Sequence, residues 1–222
     1  MNPESMSDVA RRASVYAALG DPARLRIADI LSLGDASPSE LAAALDMPSN
    51  LLAHHLKVLR EVGLVSSHRS QGDGRRQYLR LTDRTLLSPD DEPIAAPGRV
   101  VFVCTANSAR SHLAAALWRQ ASRIPAASAG THPGERIDPG AIDAAVRHEV
   151  PLPRIRPRPI GDVLIPDDLV ITVCDLAHEQ LPAGELHWSI PDPVRVGTPE
   201  AFDSALADIE ARVLSLAPRL AS

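Results

Sequence analysis

Two patterns of apolar and polar positions divide this chain of 222 residues. In the first part, apolar residues recur at helical spacing, and Ser37-Pro38-Ser39-Glu40 has the form of a capping box that opens a short helix. After a tight turn, the spacing predicts a second helix at about 50–62. Strand-like runs at 64–68 and 77–81 flank a glycine-rich segment at 70–74, which predicts a hairpin. Helix, turn, helix and hairpin in this order predict a winged helix-turn-helix domain.

Continuous apolar runs mark the second part of the chain. Residues 99–104 and 169–174 are such runs, which are typical of strands buried on both faces of a parallel sheet. Each run ends in a cysteine, and a helix is predicted at 113–119, shortly after the first. We therefore expect an α/β domain with both cysteines at the carboxyl ends of its strands, where open α/β sheets bind ligands.

A segment rich in proline and acidic residues separates the two parts. Three prolines oppose helix and sheet formation there, and an acidic triplet keeps the segment hydrated. We interpret residues 88–98 as a linker between a domain at 1–87 and one at 99–222. The alternative is a long surface loop within a single domain. The charge is also divided unevenly, because residues 1–90 carry 11 basic and 11 acidic side chains while the remainder carries 12 and 17.

The composition limits the possible classes of protein. Apolar residues make up 45% of the chain and charged residues 23%, which is ordinary for a globular protein. No apolar run approaches the ~18 residues that span a bilayer, and the N-terminus has neither a basic start nor an apolar core. We expect a cytoplasmic protein that does not bind membranes. Two cysteines are too few for a disulfide framework or a four-thiolate zinc site.

A basic surface is predicted on the first domain. The outward face of its second helix presents side chains that suit base edges and phosphates, and the start of that helix offers free backbone N–H groups. The hairpin carries four arginines, Arg80 among them. The predicted DNA contacts are Ser49, Asn50, His54, Lys57, Arg69, Arg75 and Arg76. The alternative is a solvated helix face and a charged loop that bind nothing.

Residues 19–27 and 55–65 resemble the arsenical-repressor (ArsR/SmtB) family of winged-helix regulators. The likeness covers roughly residues 10–84 and implies a homodimer that binds an inverted repeat in operator DNA. Many members of that family sense arsenite through a cysteine pair in the helix that here spans 40–45. Because no cysteine precedes Cys104, this domain cannot hold arsenite by thiolates on its own, and we predict no metal site in it.

The first cysteine stands where a strand enters a helix. Cys104 is followed by a loop of small and polar residues, whose successive backbone N–H groups can converge on one anion. The planar guanidinium of Arg110 suits two oxygens of a tetrahedral oxyanion, and the helix N-terminus, Arg110 and Ser111 are expected to favour the Cys104 thiolate. This arrangement indicates a nucleophile that attacks phosphorus or arsenic; the alternative is a buried structural cysteine. The predicted oxyanion ligands are Thr105, Ala106, Asn107, Ser108, Ala109, Arg110 and Ser111.

Two further residues complete the predicted catalytic group. If the strands that end at Cys104 and Cys174 belong to one sheet, a disulfide between them is feasible; the alternative for Cys174 is an inert core cysteine. Asp192 lies between two prolines on a predicted loop, which suits a general acid that protonates a departing oxygen. Without the Cys104 loop, Asp192 would be interpreted as a turn residue.

Four segments of the second domain resemble the low-molecular-weight phosphotyrosine phosphatase fold as arsenate reductases use it. These segments are 104–111, 128–131, 169–174 and 187–193. The likeness covers about residues 99–215 and implies a small four-stranded parallel sheet flanked by helices. It implies that Cys104 is the nucleophile, that Arg110 and the loop amides bind the oxyanion, and that Asp192 is the acid. It also implies that Asn107 and Ser111 shape the loop and stabilise the thiolate.

Phosphatases and reductases of this fold share that apparatus, so residues elsewhere separate the two activities. The phosphatases usually have aromatic residues after the Asp-Pro pair, where this chain has Val194. The reductases carry a cysteine at the position of Cys174, and the pair His187-Trp188 also resembles theirs. These features favour arsenate reduction over phosphatase activity.

The chain also departs from the reductase pattern. Leu181 stands at the position of the third cysteine of thioredoxin-coupled reductases, and Ala109 replaces a cysteine that often precedes the loop arginine. Either Cys174 resolves Cys104, or a small external thiol attacks the Cys104–arsenate adduct. The external reductant is mycothiol with mycoredoxin, glutathione with glutaredoxin, or thioredoxin, and no tightly bound cofactor is expected. Because Ala115 stands where potassium-binding reductases often have glutamate, we predict no required metal.

The sequence therefore predicts a fusion of two domains, a winged helix-turn-helix and an α/β domain with a four-stranded parallel sheet. The predicted protein is an arsenic-resistance regulator that binds operator DNA and reduces arsenate through Cys104. One alternative is a phosphatase in place of the reductase. Another is a non-catalytic sensor, in which an oxyanion or oxidation of Cys104 changes the affinity for DNA.

Overall fold

The computed structural model describes residues 3–83, 97–153, 155–181 and 186–220. They form two compact units, one built mainly before residue 84 and the other mainly after residue 96. The predicted linker at 88–98 lies outside the described residues except for its last two positions. Within these ranges, no helix combines the length and the apolar character needed to cross a membrane.

Helices and one hairpin make up the described part of the first unit. They are α1 (Pro3–Leu19), α2 (Pro22–Leu33), α3 (Pro38–Ala44), α4 (Ser49–Glu61), β1 (Val65–Arg69) and β2 (Gln77–Leu81). Helix α3 starts as predicted: the Ser37 hydroxyl accepts a hydrogen bond from the Glu40 N–H at 3.3 Å, and the Glu40 carboxylate accepts one from the Ser37 N–H at 2.7 Å. The two helices α3 and α4 form the predicted helix-turn-helix.

The hairpin and the helices of this unit share one core. Strand β2 pairs with β1 in antiparallel register, and its Leu79 also exchanges two backbone hydrogen bonds with Ala36, just before α3. Leu31, Leu41 and Leu59 from three helices are fully buried and belong to the same core cluster as Leu79. Because α4 buries its apolar face here, its polar face is turned outward. This arrangement confirms the predicted winged-helix layout.

A four-stranded parallel sheet forms the centre of the second unit, as predicted. The elements are β3 (Arg99–Cys104), α5 (Arg110–Ala121), β4 (Ala126–Gly130), α6 (Pro139–Arg147), β5 (Asp168–Thr172), α7 (Asp175–Gln180), β6 (Leu186–His187), α8 (Pro193–Val196) and α9 (Pro199–Leu216). The strand order is β4–β3–β5–β6, with all three pairs parallel. Strand β3 is central and almost wholly buried, which explains its uninterrupted apolar sequence.

Aromatic side chains fill the core around β3. The Phe102 ring lies 5.9 Å from that of Trp118 and 5.6 Å from that of Trp188, and all three residues are fully buried. Trp118 belongs to α5, which also packs against α9. The carboxyl end of β3 is therefore surrounded by packed elements, and the loop that leaves it is held from several sides.

In the second unit, the start of α5 and the end of β5 differ from the prediction. Helix α5 begins at Arg110 rather than at residue 113, because the Leu113 N–H already donates to the Ala109 carbonyl at 3.0 Å. Strand β5 ends at Thr172 rather than at Cys174. The Val173 N–H still donates to the Val103 carbonyl, but Cys174 turns away to cap α7.

Candidate active site and DNA-binding surface

The sulfur of Cys104 lies at the floor of the loop between β3 and α5. Its Sγ is 3.1 Å from the Ser111 hydroxyl oxygen, and the Asn107 backbone N–H donates to it at 3.2 Å. Cys104 is 2% exposed, and Asn107 and Ser111 are fully buried. The loop therefore surrounds the sulfur of Cys104 with a hydroxyl and a backbone N–H group.

Asn107 and Ser111 hold the shape of the loop. Asn107 has a φ of 47°, a left-handed conformation that asparagine tolerates better than most residues. Its side-chain amide donates to the Ser111 hydroxyl at 2.9 Å and accepts from the Arg158 N–H at 2.9 Å. Both side chains lie behind the loop and do not line the pocket. These contacts fit the expectation that Asn107 and Ser111 shape the loop, and their assignment as oxyanion ligands stays a prediction.

Gly130 allows the loop to approach the next strand. A Cβ at this position would lie 2.7 Å from the Thr105 carbonyl oxygen and 3.0 Å from the Asn107 Cβ. Backbone atoms cannot move aside cheaply, so a side chain at 130 would push the loop out of place. The glycine in the segment 128–131 is thus part of the site, although it bears no functional group.

Arg110 reaches across the pocket to Asp192. One guanidinium nitrogen donates to the Ile190 carbonyl at 2.9 Å and another to the Asp192 carboxylate at 2.8 Å. The other Asp192 oxygen accepts from the Val194 N–H at 3.1 Å, so Asp192 caps α8. Asp192 lies just before α8 and outside the helix, in agreement with the prediction, and the cap fixes its carboxylate beside Arg110.

The second thiol lies in the same pocket as the first. Cys174 is 2% exposed; its sulfur accepts from the Ala177 N–H at 3.4 Å and lies 3.4 Å from the Thr105 hydroxyl. Burial raises the pKa of the Cys174 thiol and the neighbouring Cys104 adds to this, while the positive charge of Arg110 acts in the opposite direction. Cys174 is therefore held mainly as a thiol until a proton acceptor or a reaction draws the proton away.

A buried acid–imidazole pair adjoins Cys174, and its acid, Asp175, is not among the residues predicted from the sequence. The Asp175 carboxylate lies 3.1 Å from Nε2 of His187, and the two residues are 4% and 2% exposed. Burial opposes ionisation of Asp175, but hydrogen bonds from His187 and Ser189 outweigh it and lower its pKa to about 2. The only available signal was an aspartate directly after Cys174, and its partner lies 12 residues away.

His112, at the start of α5, is a neutral imidazole behind the loop. It is 4% exposed, with Nδ1 3.4 Å from the Ser128 hydroxyl. Burial lowers the pKa of His112 to about 4, and the charges of Arg119 and Arg158 contribute in the same direction. The ring therefore adds no charge to the loop near neutral pH.

The pocket thus collects most of the predicted residues of the second unit. Its lining includes Cys104, Thr105, Ala106, Ser108, Ala109, Arg110, Cys174, Asp175, Leu176, Asp192, Val194 and Arg195. In the parts of the chain that the structure describes, no group of three histidine, cysteine or acidic side chains is arranged to hold a metal ion. Thiols, a guanidinium, backbone N–H groups and a carboxylate are the chemistry of a small-oxyanion site.

On the first unit, the predicted DNA-contacting residues of α4 lie on its exposed face. Ser49, Asn50, His54 and Lys57 are exposed, whereas Leu52, His55, Leu56 and Leu59 form the buried face. Lys57 lies 3.8 Å from Glu61, and both side chains are more than half exposed, so this pair is weak and the lysine can turn to another anion.

The hairpin arginines do not all share one environment. Arg69, Arg75 and Arg76 are exposed, as the prediction requires. Arg80 instead points inward, with its guanidinium 3.4 Å from the buried carboxylate of Asp35. Arg80 therefore adds less positive charge to the hairpin surface than the sequence suggested.

Two family models match the chain. The model described as low molecular weight phosphotyrosine protein phosphatase matches residues 99–222, and a model described as a helix-turn-helix domain matches residues 19–68. The two matches do not overlap, and they fall on the two parts that the hydrophobic pattern distinguished.

Individual relatives are each similar to part of the chain. The transcriptional repressor SmtB homolog of Synechocystis is 34% identical over 90 residues, which are 40% of this chain and 66% of that protein, slightly less than two thirds. The arsenate reductase from Archaeoglobus fulgidus is 31% identical, with a TM-score of 0.47, over 54% of this chain and 98% of that one. The tyrosine phosphatase Wzb from Escherichia coli K30, in complex with sulphate, is 24% identical, with a TM-score of 0.48, over 56% and 99%.

Proposed function

The chain belongs to the low molecular weight phosphotyrosine protein phosphatase family through residues 99–222, and we propose that this part reduces arsenate to arsenite. The observation that carries the proposal is the presence of two thiols in one oxyanion-binding pocket, Cys104 at its floor and Cys174 in its lining. A phosphatase needs one nucleophile. Reduction of arsenate takes two electrons, which are the two that a pair of thiols supplies when it becomes a disulfide.

In the first step, the Cys104 thiolate attacks arsenic and forms an S–As bond. One hydroxyl group of hydrogen arsenate takes a proton and leaves as water. Asp192 is the proposed acid, because its carboxylate lies beside Arg110 at the pocket. Arg110 and the loop N–H groups stabilise the oxyanion; Arg110 does so by exchanging part of its contact with Asp192 for arsenate oxygens.

In the second step, the Cys174 thiolate attacks the sulfur of Cys104. An S–S bond forms and the S–As bond breaks, with its electron pair remaining on arsenic. Arsenic is reduced from the +5 to the +3 state, and two thiols are oxidised to a disulfide. An external dithiol, or two molecules of a small thiol such as mycothiol or glutathione, then restores the pocket by thiol–disulfide exchange.

Phosphatase activity is the second candidate, and the family membership itself favours it. The same nucleophile, guanidinium and acid serve phosphoryl transfer to Cys104 from an aryl phosphate. Val194 lies at the rim with 40% of its surface exposed and offers no aromatic face to a tyrosyl ring. We therefore expect aryl phosphates to be poorer substrates than arsenate.

The first unit is proposed to bind operator DNA as a homodimer. Supporting this are the match to a helix-turn-helix model, the exposed polar face of α4 and the exposed hairpin arginines. The combined protein would regulate an arsenic-resistance operon and detoxify arsenate. In the sensor alternative, the second unit instead changes DNA affinity when its thiols are modified.

The decisive experiment measures arsenate turnover with each thiol donor in four forms: wild type, Cys104→Ser, Cys174→Ser and the double variant. We expect no turnover without Cys104. Loss without Cys174 identifies it as the resolving thiol, whereas turnover that persists with a small thiol places resolution on the donor. Unchanged turnover in Cys104→Ser would overturn the catalytic assignment. Asp192-dependent aryl-phosphate hydrolysis that exceeds arsenate turnover would favour the phosphatase.

The regulatory part is tested separately by operator binding. The sensor alternative requires that arsenate, arsenite or peroxide shifts the affinity for operator DNA in the wild type but not in Cys104→Ser. If the affinity for operator DNA is the same with and without these compounds, the sensor alternative is wrong and the two parts act as a regulator and an independent enzyme.

A further inference from the structure

We propose that His187 is a positioning residue for the second thiol: by binding both Asp175 and His178 of α7, it keeps Cys174 in the pocket with Cys104. The inference rests on the proposed role of Cys174 as a resolving thiol. It adds a group that does not touch substrate and acts through the helix that Cys174 caps.

Helix α7 needs an anchor outside itself. It has six residues, and a helix of that length is marginal without tertiary contacts. Cys174 is its cap residue, so the sulfur moves with the first turn of the helix. The position of the thiol relative to Cys104 therefore depends on what fixes α7.

The first anchor point is Asp175, the first residue of α7. Its carboxylate lies 3.1 Å from Nε2 of His187, in a buried pair whose side chains are 4% and 1% exposed. Without His187, the Asp175 carboxylate would keep the hydrogen bond from Ser189 but lose the imidazole, and a buried carboxylate with fewer partners bears a larger desolvation cost. The pair therefore holds the start of the helix firmly, immediately beside Cys174.

The second anchor point is one turn further along the same face of the helix. The His178 ring stacks on the His187 ring at 4.1 Å, with an angle of 11° between their planes. Both imidazoles also place Nδ1 near the Thr172 hydroxyl, at 2.9 Å for His187 and 3.1 Å for His178. Residues three apart on a helix lie on the same face, so His187 contacts Asp175 and His178 on one face of α7.

His187 is itself fixed by the sheet. It lies in β6, opposite Thr172 of β5 in parallel register. Strand β5 in turn pairs with β3, which ends at Cys104. A continuous path of strand pairing and side-chain contacts therefore runs from the nucleophile to the helix that carries the second thiol.

The step that this arrangement should affect can be measured without arsenate. Hydrogen peroxide oxidises the Cys104 thiolate to a sulfenic acid, with loss of hydroxide. The Cys174 thiolate then attacks that sulfur, an S–S bond forms, and a second hydroxide leaves. The rate of this closure reports the position of Cys174, whereas alkylation of Cys104 by iodoacetamide in a Cys174→Ser background reports only the first thiol.

Three variants separate positioning from general damage. His187→Leu removes both anchors; His187→Gln keeps a donor for Asp175 but loses the ring that stacks on His178. The matched control is His148→Leu, because His148 also pairs with an aspartate, Asp203, at 3.1 Å, but on the exposed surface. Tryptophan fluorescence and far-ultraviolet circular dichroism show whether each variant is folded.

We expect His187→Leu to slow disulfide closure by about 10–100-fold, the range that misplaced reacting groups show. Alkylation of Cys104 should stay within about twofold, and His187→Gln should recover part of the closure rate. Equal losses in closure and alkylation, or no loss in closure, would overturn the inference. If His187→Leu does not fold, the same comparison on His187→Gln and His178→Leu decides it.

This experiment and the test of the proposed function can give opposite outcomes, so failure of one is distinguishable from failure of the other. A wild-type protein that forms no intramolecular disulfide with peroxide contradicts the inference, whether or not arsenate is turned over with an external thiol. Conversely, closure that depends on His187 in a protein without arsenate turnover supports the inference and contradicts the reductase.

Discussion

The two candidate surfaces of this protein are built in opposite ways. On α4, the side chains predicted to contact DNA are exposed to solvent, and that of Lys57 is 74% exposed. Around the Cys104 loop they are buried and joined to one another, and Arg110 is 8% exposed while it bonds to both Ile190 and Asp192. Each exposed charge contributes little binding or stabilisation energy and acts independently of the others. In a buried network, by contrast, loss of one member also weakens the contacts of the remaining members. The same type of amino-acid substitution should therefore reduce function more in the second unit than in the first.

The largest effect should come from Arg110→Lys. An ammonium cannot bind the Ile190 carbonyl, the Asp192 carboxylate and two oxyanion oxygens with the geometry of a guanidinium. We expect turnover of arsenate, or of an aryl phosphate, to fall by about 10²–10³-fold, as when a preorganised oxyanion donor is lost. Initial rates at saturating and limiting substrate measure this change.

The control for that variant is Arg195→Lys, which makes the same exchange at an exposed position of the pocket lining. Its turnover should stay within about threefold of wild type, because an exposed charge is screened by solvent. Similar losses in both variants would show that the buried and exposed arginines are not functionally distinct.

The next effect is on stability and concerns His112. Its pKa is about 4 in the folded protein against an ordinary value of 6.5, so between these values the unfolded chain binds more protons. The free energy of unfolding of the second unit should therefore fall as the pH drops from 6.5 to 4, by about 3 kcal/mol in total. His112→Gln should remove this dependence.

Urea unfolding at several pH values tests this prediction. The chain contains two tryptophans, Trp118 and Trp188, both in the second unit, so their fluorescence follows that unit. His132→Gln, at an exposed histidine, should leave the wild-type pH dependence in place. A steep acid slope that survives in His112→Gln would assign the slope to other groups.

The smallest effect should come from Arg76→Ala on the hairpin. Loss of one phosphate contact should weaken operator binding by a few fold and reduce the slope of log affinity against log salt by about 0.9. Arg26→Ala, also exposed but on α2 outside the predicted surface, removes the same charge. If both variants give the same salt dependence, the hairpin has no special role and the comparison between the two surfaces is weakened.

Local signals in the sequence predicted much of the architecture. The capping box at Ser37 and Glu40 and the apolar stripe of α4 identified the helix-turn-helix, because caps and periodicity act within a few residues. The run that ends at Cys104, followed by Arg110 six positions on, identified the loop for the same reason. Both family resemblances depend on such local segments. The phosphatase-fold resemblance is confirmed by the family match over residues 99–222, and residues 19–68 match a helix-turn-helix model.

Other features appear only when distant segments pack together. Arg110 meets Asp192 across 82 positions of the chain, and the inward turn of Arg80 follows from Asp35, 45 positions before it. The structural role of Asp175 becomes apparent only from its contact with His187. The pairing of strands β5 and β6 brings these two residues together. No short-range pattern encodes these pairs.

The sequence by itself thus determined the two kinds of domain, the proposed nucleophile Cys104 and the guanidinium of Arg110, since backbone propensity and the spacing of a phosphate-type loop are local properties. The tertiary structure decided which carboxylate faces Arg110, which residues line the pocket and which merely shape it, and how Cys174 is held. These contacts depend on the parallel strand register and on burial. Where water is excluded, a charged group or a hydroxyl must find its hydrogen-bond partner in another part of the chain, and this requirement constrains its position strongly.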